Sequence, residues 1–117
     1  MDPHEHLVLR LFTLIDGHDW EALPQLFTPS VCYERPGYAP ICGIASLLAF
    51  YRGERVVADG RHLIRGCLGS GCEVSCWGEF SGVSRSGEPL HETFADWYWI
   101  SGGRISRRKT FFYRPAI

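Results

Sequence analysis

One carboxylate, Asp96, sits among Phe94, Trp97, Tyr98 and Trp99 in the run HETFADWYWI, His91 to Ile100. Taking charge into an apolar setting is costly unless the charge is paired or neutralised. Asp96 is therefore a surface residue, one half of an ion pair, or a chemical group. Read as a strand, the run alternates, and Phe94 and Tyr98 share Asp96's face. That is an apolar setting of the kind that raises a carboxyl pKa and suits it to moving a proton. The competing reading is an ion pair. With Gly102-Gly103 as a two-residue turn Asp96 faces Lys109, and with a three-residue loop it faces Arg108. Either cation would hold the carboxylate charged and oppose acid chemistry.

Other residues could assist. Arg35, in VCYERPG, could hold an enolate or carboxylate oxygen, and Tyr33 lies two residues earlier on the same strand face. His62, in ADGRHLI, is a candidate second proton carrier. Strand-edge or solvated roles compete for each. No His, Cys, Asp or Glu cluster has metal-ligand spacing, because His91 and Glu92 are adjacent and point to opposite faces of a strand. No metal and no cofactor are expected.

The five cysteines, Cys32, Cys42, Cys67, Cys72 and Cys76, are odd in number and lack CxxC spacing, so they read as reduced thiols filling apolar space. Twelve basic against thirteen acidic residues argue against a nucleic-acid or anionic-membrane partner. The start MDPHEHLVLR does not read as a secretory leader, and no apolar run approaches a bilayer span, so a cytoplasmic protein is expected.

These residues need a scaffold, and 117 residues suffice for one domain over 1–117. Asp2, Pro3 and Glu5 form a helix-start signature, followed by apolar residues at helical spacing from Leu7 to Ile15. A second short helix is predicted at DWEALPQLF, capped by Asp19, and a third from Ile44 to Arg55. From Arg61 onward strands alternate with glycine turns, GSG, SG and SGG, in an antiparallel meander. The fold class is α+β: three N-terminal helices packed on a strongly curved antiparallel sheet, forming a cone with an internal pocket.

In this order, the helix end DGHDWEALPQLF, the strand VCYERPG, the helix LLAFYR and the closing FADWYWISGGRISRRKTFFY resemble the SnoaL-like branch of the nuclear-transport-factor-two-like superfamily. That superfamily includes SnoaL-type polyketide cyclases, ketosteroid isomerase, limonene-epoxide hydrolase and proteins without catalysis. Fold alone does not choose among them. The resemblance places Asp96, nine residues before Ile105, at the position of the cyclase acid/base. It also excludes two chemistries in detail. Arg35 stands where the isomerase has its proton-abstracting carboxylate, and a guanidinium cannot abstract a proton. Leu11 stands where the isomerase has a phenol, and Thr110 where the epoxide hydrolase has an acid.

The implied function is a small cofactor-independent cyclase or isomerase acting on a mostly apolar natural-product intermediate, with epoxide opening as a variant. Asp96 would be the acid/base, assisted by Arg35, Tyr33 and His62, in a pocket lined by Phe94, Tyr98, Tyr51, Leu11 and Trp77. The alternative is a non-catalytic ligand-binding or interaction domain of the same fold. Trp97 and Trp99 on the outer sheet face suggest a homodimer through the sheet.

Overall fold

The computed structural model describes residues 2–115 apart from the side chain of Glu54. Helix α1 spans Pro3–Asp16. Asp2 caps it through Oδ1, which accepts the His4 amide at 2.7 Å. Glu5 does not close the capping box. Its carboxylate accepts the Gly69 amide at 2.9 Å and so ties the helix to the sheet. Val8, Leu11, Phe12, Leu14 and Ile15 form the buried stripe of α1, the pattern an amphipathic helix needs to dock on a sheet.

The predicted second helix is reduced to a single 3-10 turn, Leu23–Leu26. Asp19 does cap a turn there, accepting the Ala22 amide at 3.3 Å. Pro24 has no N–H to continue an α-helical ladder, which stops it from growing. The predicted third helix is regular only over α2, Ile44–Ala49, and then loosens into a π turn, Phe50–Glu54. Arg55 is extended rather than helical. Among the described residues there are therefore two α-helices, not three.

Six strands form one sheet: β1 Phe27–Glu34, β2 Ile41–Cys42, β3 Val57–Ser70, β4 Glu73–Ser84, β5 Pro89–Ser101 and β6 Arg104–Phe112. Their spatial order is β2-β1-β6-β5-β4-β3. The last four strands are the expected antiparallel meander. The sheet as a whole is mixed, because β1 joins β6 in parallel, and it ends at β2 and β3 rather than closing. Connection length explains this. The chain between β1 and the meander carries α2, long enough to cross over before the last strand returns beside β1.

The inner face carries the core. Val74, Cys76 and Phe80 of β4 and Phe94, Asp96, Tyr98 and Ile100 of β5 are buried, in strict alternation with outward neighbours. Trp77, expected to line the pocket, is on the outer face and 42% exposed. It pairs with Gly66 at a bulge in β3. A β-carbon at Gly66 would collide with the Trp77 ring, so only glycine fits beneath it. Trp99 and Phe111 are also exposed.

The cysteine expectation fails at one pair. Cys32 and Cys42 stand directly opposite each other in the β1–β2 ladder and are joined as a disulfide. The turn through Pro36 and Gly37 brings together two thiols that no short spacing announces. Cys67, Cys72 and Cys76 are free. Among the described residues no helix is long and apolar enough to cross a membrane.

Candidate functional site

Register decides what surrounds Asp96. The β5–β6 turn pairs Ser101 with Arg104, as a two-residue turn requires. A bulge then intervenes: Ile100 pairs with Ile105 but Trp99 with Arg107, so Ser106 is an extra residue. Its hydroxyl donates to the Trp99 carbonyl at 3.0 Å. The slip places Thr110 directly across from Asp96, neither Lys109 nor Arg108. Arg108, opposite Tyr98, reaches diagonally back to Asp96 instead.

Asp96 is fully engaged. Oδ2 accepts from Arg108 Nε at 3.1 Å, from Arg108 Nη2 at 2.9 Å and from Tyr98 Oη at 2.7 Å. Oδ1 accepts from Thr110 Oγ1 at 2.6 Å. Every neighbour donates, so the group that satisfies this site is a carboxylate. Burial alone would depress the Arg108 pKa, but Asp96 and the surrounding phenols hold it well above its usual value. Burial also pushes the Tyr98 phenol well up, and that of Tyr51 up. Tyr51 accepts from Arg108 Nη1 at 2.7 Å.

The network continues toward β1. Thr110 spends its one proton on Asp96, so its oxygen accepts from Tyr33 Oη at 2.8 Å. Tyr33 in turn accepts from Arg35 Nη1 at 3.5 Å, the long end of hydrogen bonding. Arg35, Tyr33, Thr110 and Asp96 thus form one directed chain.

A cavity of about 40 Å³ opens on this inner face. Its wall includes Tyr33, Arg35, His62 and Phe94, named from sequence, together with Arg55, Phe80, Arg108, Thr110 and Phe112. Asp96, Tyr98, Tyr51 and Leu11 are buried but do not reach it, and Trp77 faces outward. Asp96 lies behind Arg108 and Thr110, which do. A larger hollow of about 340 Å³, bounded by Pro36, Tyr38 and Lys109, shares Arg35 and Thr110 with the cavity.

On the opposite wall, His62 Nδ1 lies 2.6 Å from Asp16 Oδ1, while Asp16 Oδ2 accepts the His62 backbone amide at 2.8 Å. A carboxylate only accepts, so Nδ1 carries a proton, and in the neutral ring Nε2 is then the acceptor nitrogen. No described residue bonds to Nε2. The ring is packed against Phe12, Phe80 and Phe94, with centroids 4.7, 4.8 and 5.5 Å away.

Asp16 is the residue that the sequence reading missed. It had one signal: an acid in the last turn of a helix is disfavoured by the helix dipole, and so invites another explanation. Arg55 was also missed, because it looked like the end of a helix. Among the described residues no His, Cys, Asp and Glu group could hold a metal ion.

The profile of the SnoaL-like domain matches residues 8–108, most of the chain. The chain belongs to the SnoaL-like domain family. No curated protein is significantly similar to it in sequence. Solved structures share the SnoaL-like fold at low identity. TerC, co-crystallised with polyporic acid, superposes with a TM-score of 0.81 at 18% identity over 95% of this chain and 92% of its own. A protein from Jannaschia sp. CCS1 described as a SnoaL-like polyketide cyclase gives 0.76 at 17%, over 92% and 83%. A protein from Catenulispora acidiphila DSM 44928 with a ketosteroid isomerase-like fold, in complex with trimethylamine, gives 0.79 at 17%, over 90% and 83%. This SnoaL-like domain therefore shares its framework with proteins that hold small molecules, and its chemistry has to be argued from its own side chains.

Proposed function

We propose that this SnoaL-like domain is a cofactor-independent acid/base enzyme of the isomerase or cyclase kind, with His62 as the proton carrier. The observation that carries this reading is the Asp16–His62 pair on the cavity wall. Asp16 fixes the tautomer, and Nε2 is the nitrogen left to take a proton from an acidic carbon of the substrate. The electron pair released moves onto the neighbouring carbonyl oxygen, which Arg35, Arg55 and Tyr33 are placed to receive. His62 then returns the proton at a second carbon, giving an isomer, or to an oxygen as a ring closes. Asp96 in this reading touches no substrate. It anchors Arg108 and Thr110 and so aligns the opposite wall.

The cavity's size limits what enters it. The reacting end of a small organic molecule fits, and the rest of the molecule would lie in the adjoining hollow past Arg35. The test is proton–deuterium exchange, followed by NMR in heavy water, across a panel of small enolisable carbonyl compounds. The expected result is exchange in at least one of them, reduced about 10²- to 10⁴-fold by His62→Gln. No exchange above buffer across the panel, or an unchanged rate in His62→Gln, would overturn the enzyme reading.

A non-catalytic binding domain is the second reading. It is favoured by the small cavity and by an Asp96 carboxylate with both oxygens already bonded. The homodimer also remains a proposal. Trp77, Trp99 and Phe111 are 42, 41 and 50% exposed on the outer face, and sedimentation velocity of wild type against Trp99→Glu would test that face.

A further inference from the structure

We infer that the cavity is built to receive the anionic oxygen end of its ligand, a carboxylate or an enolate, and that Arg55 is the residue that meets it. This rests on the reading of the cavity as the ligand site and adds the ligand's charge.

Arg55 is only 6% exposed, yet its Nε–H has no hydrogen-bond partner. A buried donor left unbonded is costly and rare in folded proteins, and for a charged group more so. The residue is not loosely placed. Its amide donates to the Phe50 carbonyl at 3.0 Å, and its carbonyl accepts from Arg85 Nε at 2.8 Å. Its guanidinium lies 5.4 and 5.3 Å from the ring centroids of Trp20 and Tyr51. These rings hold the plane without using its donors.

The charges around it point the same way. The two buried carboxylates of the inner face, Asp96 and Glu92, are bonded to Arg108 and Arg114. Asp16 is bonded to His62. Among the described side chains, no carboxylate lies within ion-pair distance of Arg55. Burial lowers its pKa and the positive charges of Arg35 and Arg85 add to that effect, against the opposing pull of Tyr51 and Asp16. Arg35 and Arg108 share the cavity wall with it. An anion entering here would relieve the repulsion and bond the idle donor at once. A neutral ligand of the same shape could bond that donor through a carbonyl oxygen, but more weakly and without relieving the repulsion.

The test is a titration of the intact protein with acetate and with acetamide, its neutral isostere, at fixed ionic strength, with chloride as a third arm. The readouts are the arginine Nε–Hε cross-peak, assigned with Arg55→Lys, and the His62 ring signals. Acetate is expected to shift both saturably and to bind at least about tenfold more tightly than acetamide, as a charge-assisted hydrogen bond implies. Chloride should compete weakly. Arg55→Met should abolish the preference, and if that variant does not fold, Arg55→Lys should weaken it by losing the fork. Equal binding of acetate and acetamide would overturn the inference while leaving the cavity as a ligand site. So would a preference that survives in Arg55→Met. If neither probe moves the His62 signals, both the inference and the proposed ligand site are overturned.

Discussion

Asp16 and His62 are 46 residues apart in sequence, and both oxygens of the carboxylate are used on the one histidine, Oδ1 on Nδ1 at 2.6 Å and Oδ2 on the backbone amide at 2.8 Å. The two contacts fix the ring relative to β3 and not merely to the end of α1. The carboxylate selects the Nδ1–H tautomer, so long-range nitrogen–proton NMR of neutral His62 should show a protonated Nδ1 and a bare Nε2. Asp16→Asn should lose that selection and populate the Nε2–H form. A wild-type ring already protonated at Nε2 would remove the basis for His62 as a base.

A second expectation concerns the buried pair. Asp96→Asn leaves Arg108 buried against a neutral group, and Arg108→Met strands the carboxylate. Each should cost about 3–5 kcal/mol in urea unfolding. The double variant should cost less than the sum by roughly 2 kcal/mol, since neither charge is then left alone. Additive losses would mean that the two side chains do not interact as the 2.9 Å contact requires.

How much of this could be read in advance depends on range. The alternation that turns Phe94, Asp96 and Tyr98 inward is a property of one strand, and it was legible. The residue directly across from Asp96, Thr110, was not, because the register depends on Ser106, which looks like any strand residue and not like a bulge. Arg108 was foreseen as a partner and does pair with Asp96, but by a diagonal reach rather than directly across. Tyr33, Arg35, His62 and Phe94 all line the cavity. Asp16 and Arg55 stayed hidden because each ends an element, where the local pattern carries no facing information. Pro24 is plain in the sequence, and its missing N–H accounts for a predicted helix that is only one turn long.

The alkaline limb of stability should be steep. Burial and the Asp96 carboxylate push the Cys76 thiol up, and burial raises Tyr51 and Tyr98. Folded values above the unfolded references of 9.0 for cysteine and 10.0 for tyrosine mean that the unfolded chain loses these protons first. Their contribution is complete below those references and is lost as pH rises through them, at about 1.4 kcal/mol per pH unit for each group. Urea midpoints from neutral pH upward should therefore begin to fall near 9, and Cys76→Ala should make the fall between 9 and 10 shallower, the rest of it belonging to Cys67, whose thiol burial also pushes up. A flat profile over that range would contradict the buried placement of all three.

The thiols supply the last prediction. Cys32 and Cys42 face each other across β1 and β2 and are bonded, with a sequence separation of 10. Closing a loop of that length removes unfolded-state entropy that a chain-entropy model puts at roughly 3 kcal/mol. Non-reducing denaturation should therefore expose only the three free thiols, Cys67, Cys72 and Cys76. Under native conditions iodoacetamide should label exposed Cys72 first and leave Cys76 untouched, because burial keeps that thiol protonated. Reduction, or Cys32→Ser, should lower the unfolding free energy by about the same 3 kcal/mol. The bond closes the loop that contains Arg35, so its loss should also loosen that arginine and weaken acetate binding at the cavity. Five reactive thiols in the non-reduced, denatured protein would show that the bond does not form, and the β1–β2 edge would then be held without it, by backbone pairing that includes the Gly43 amide on the Val31 carbonyl.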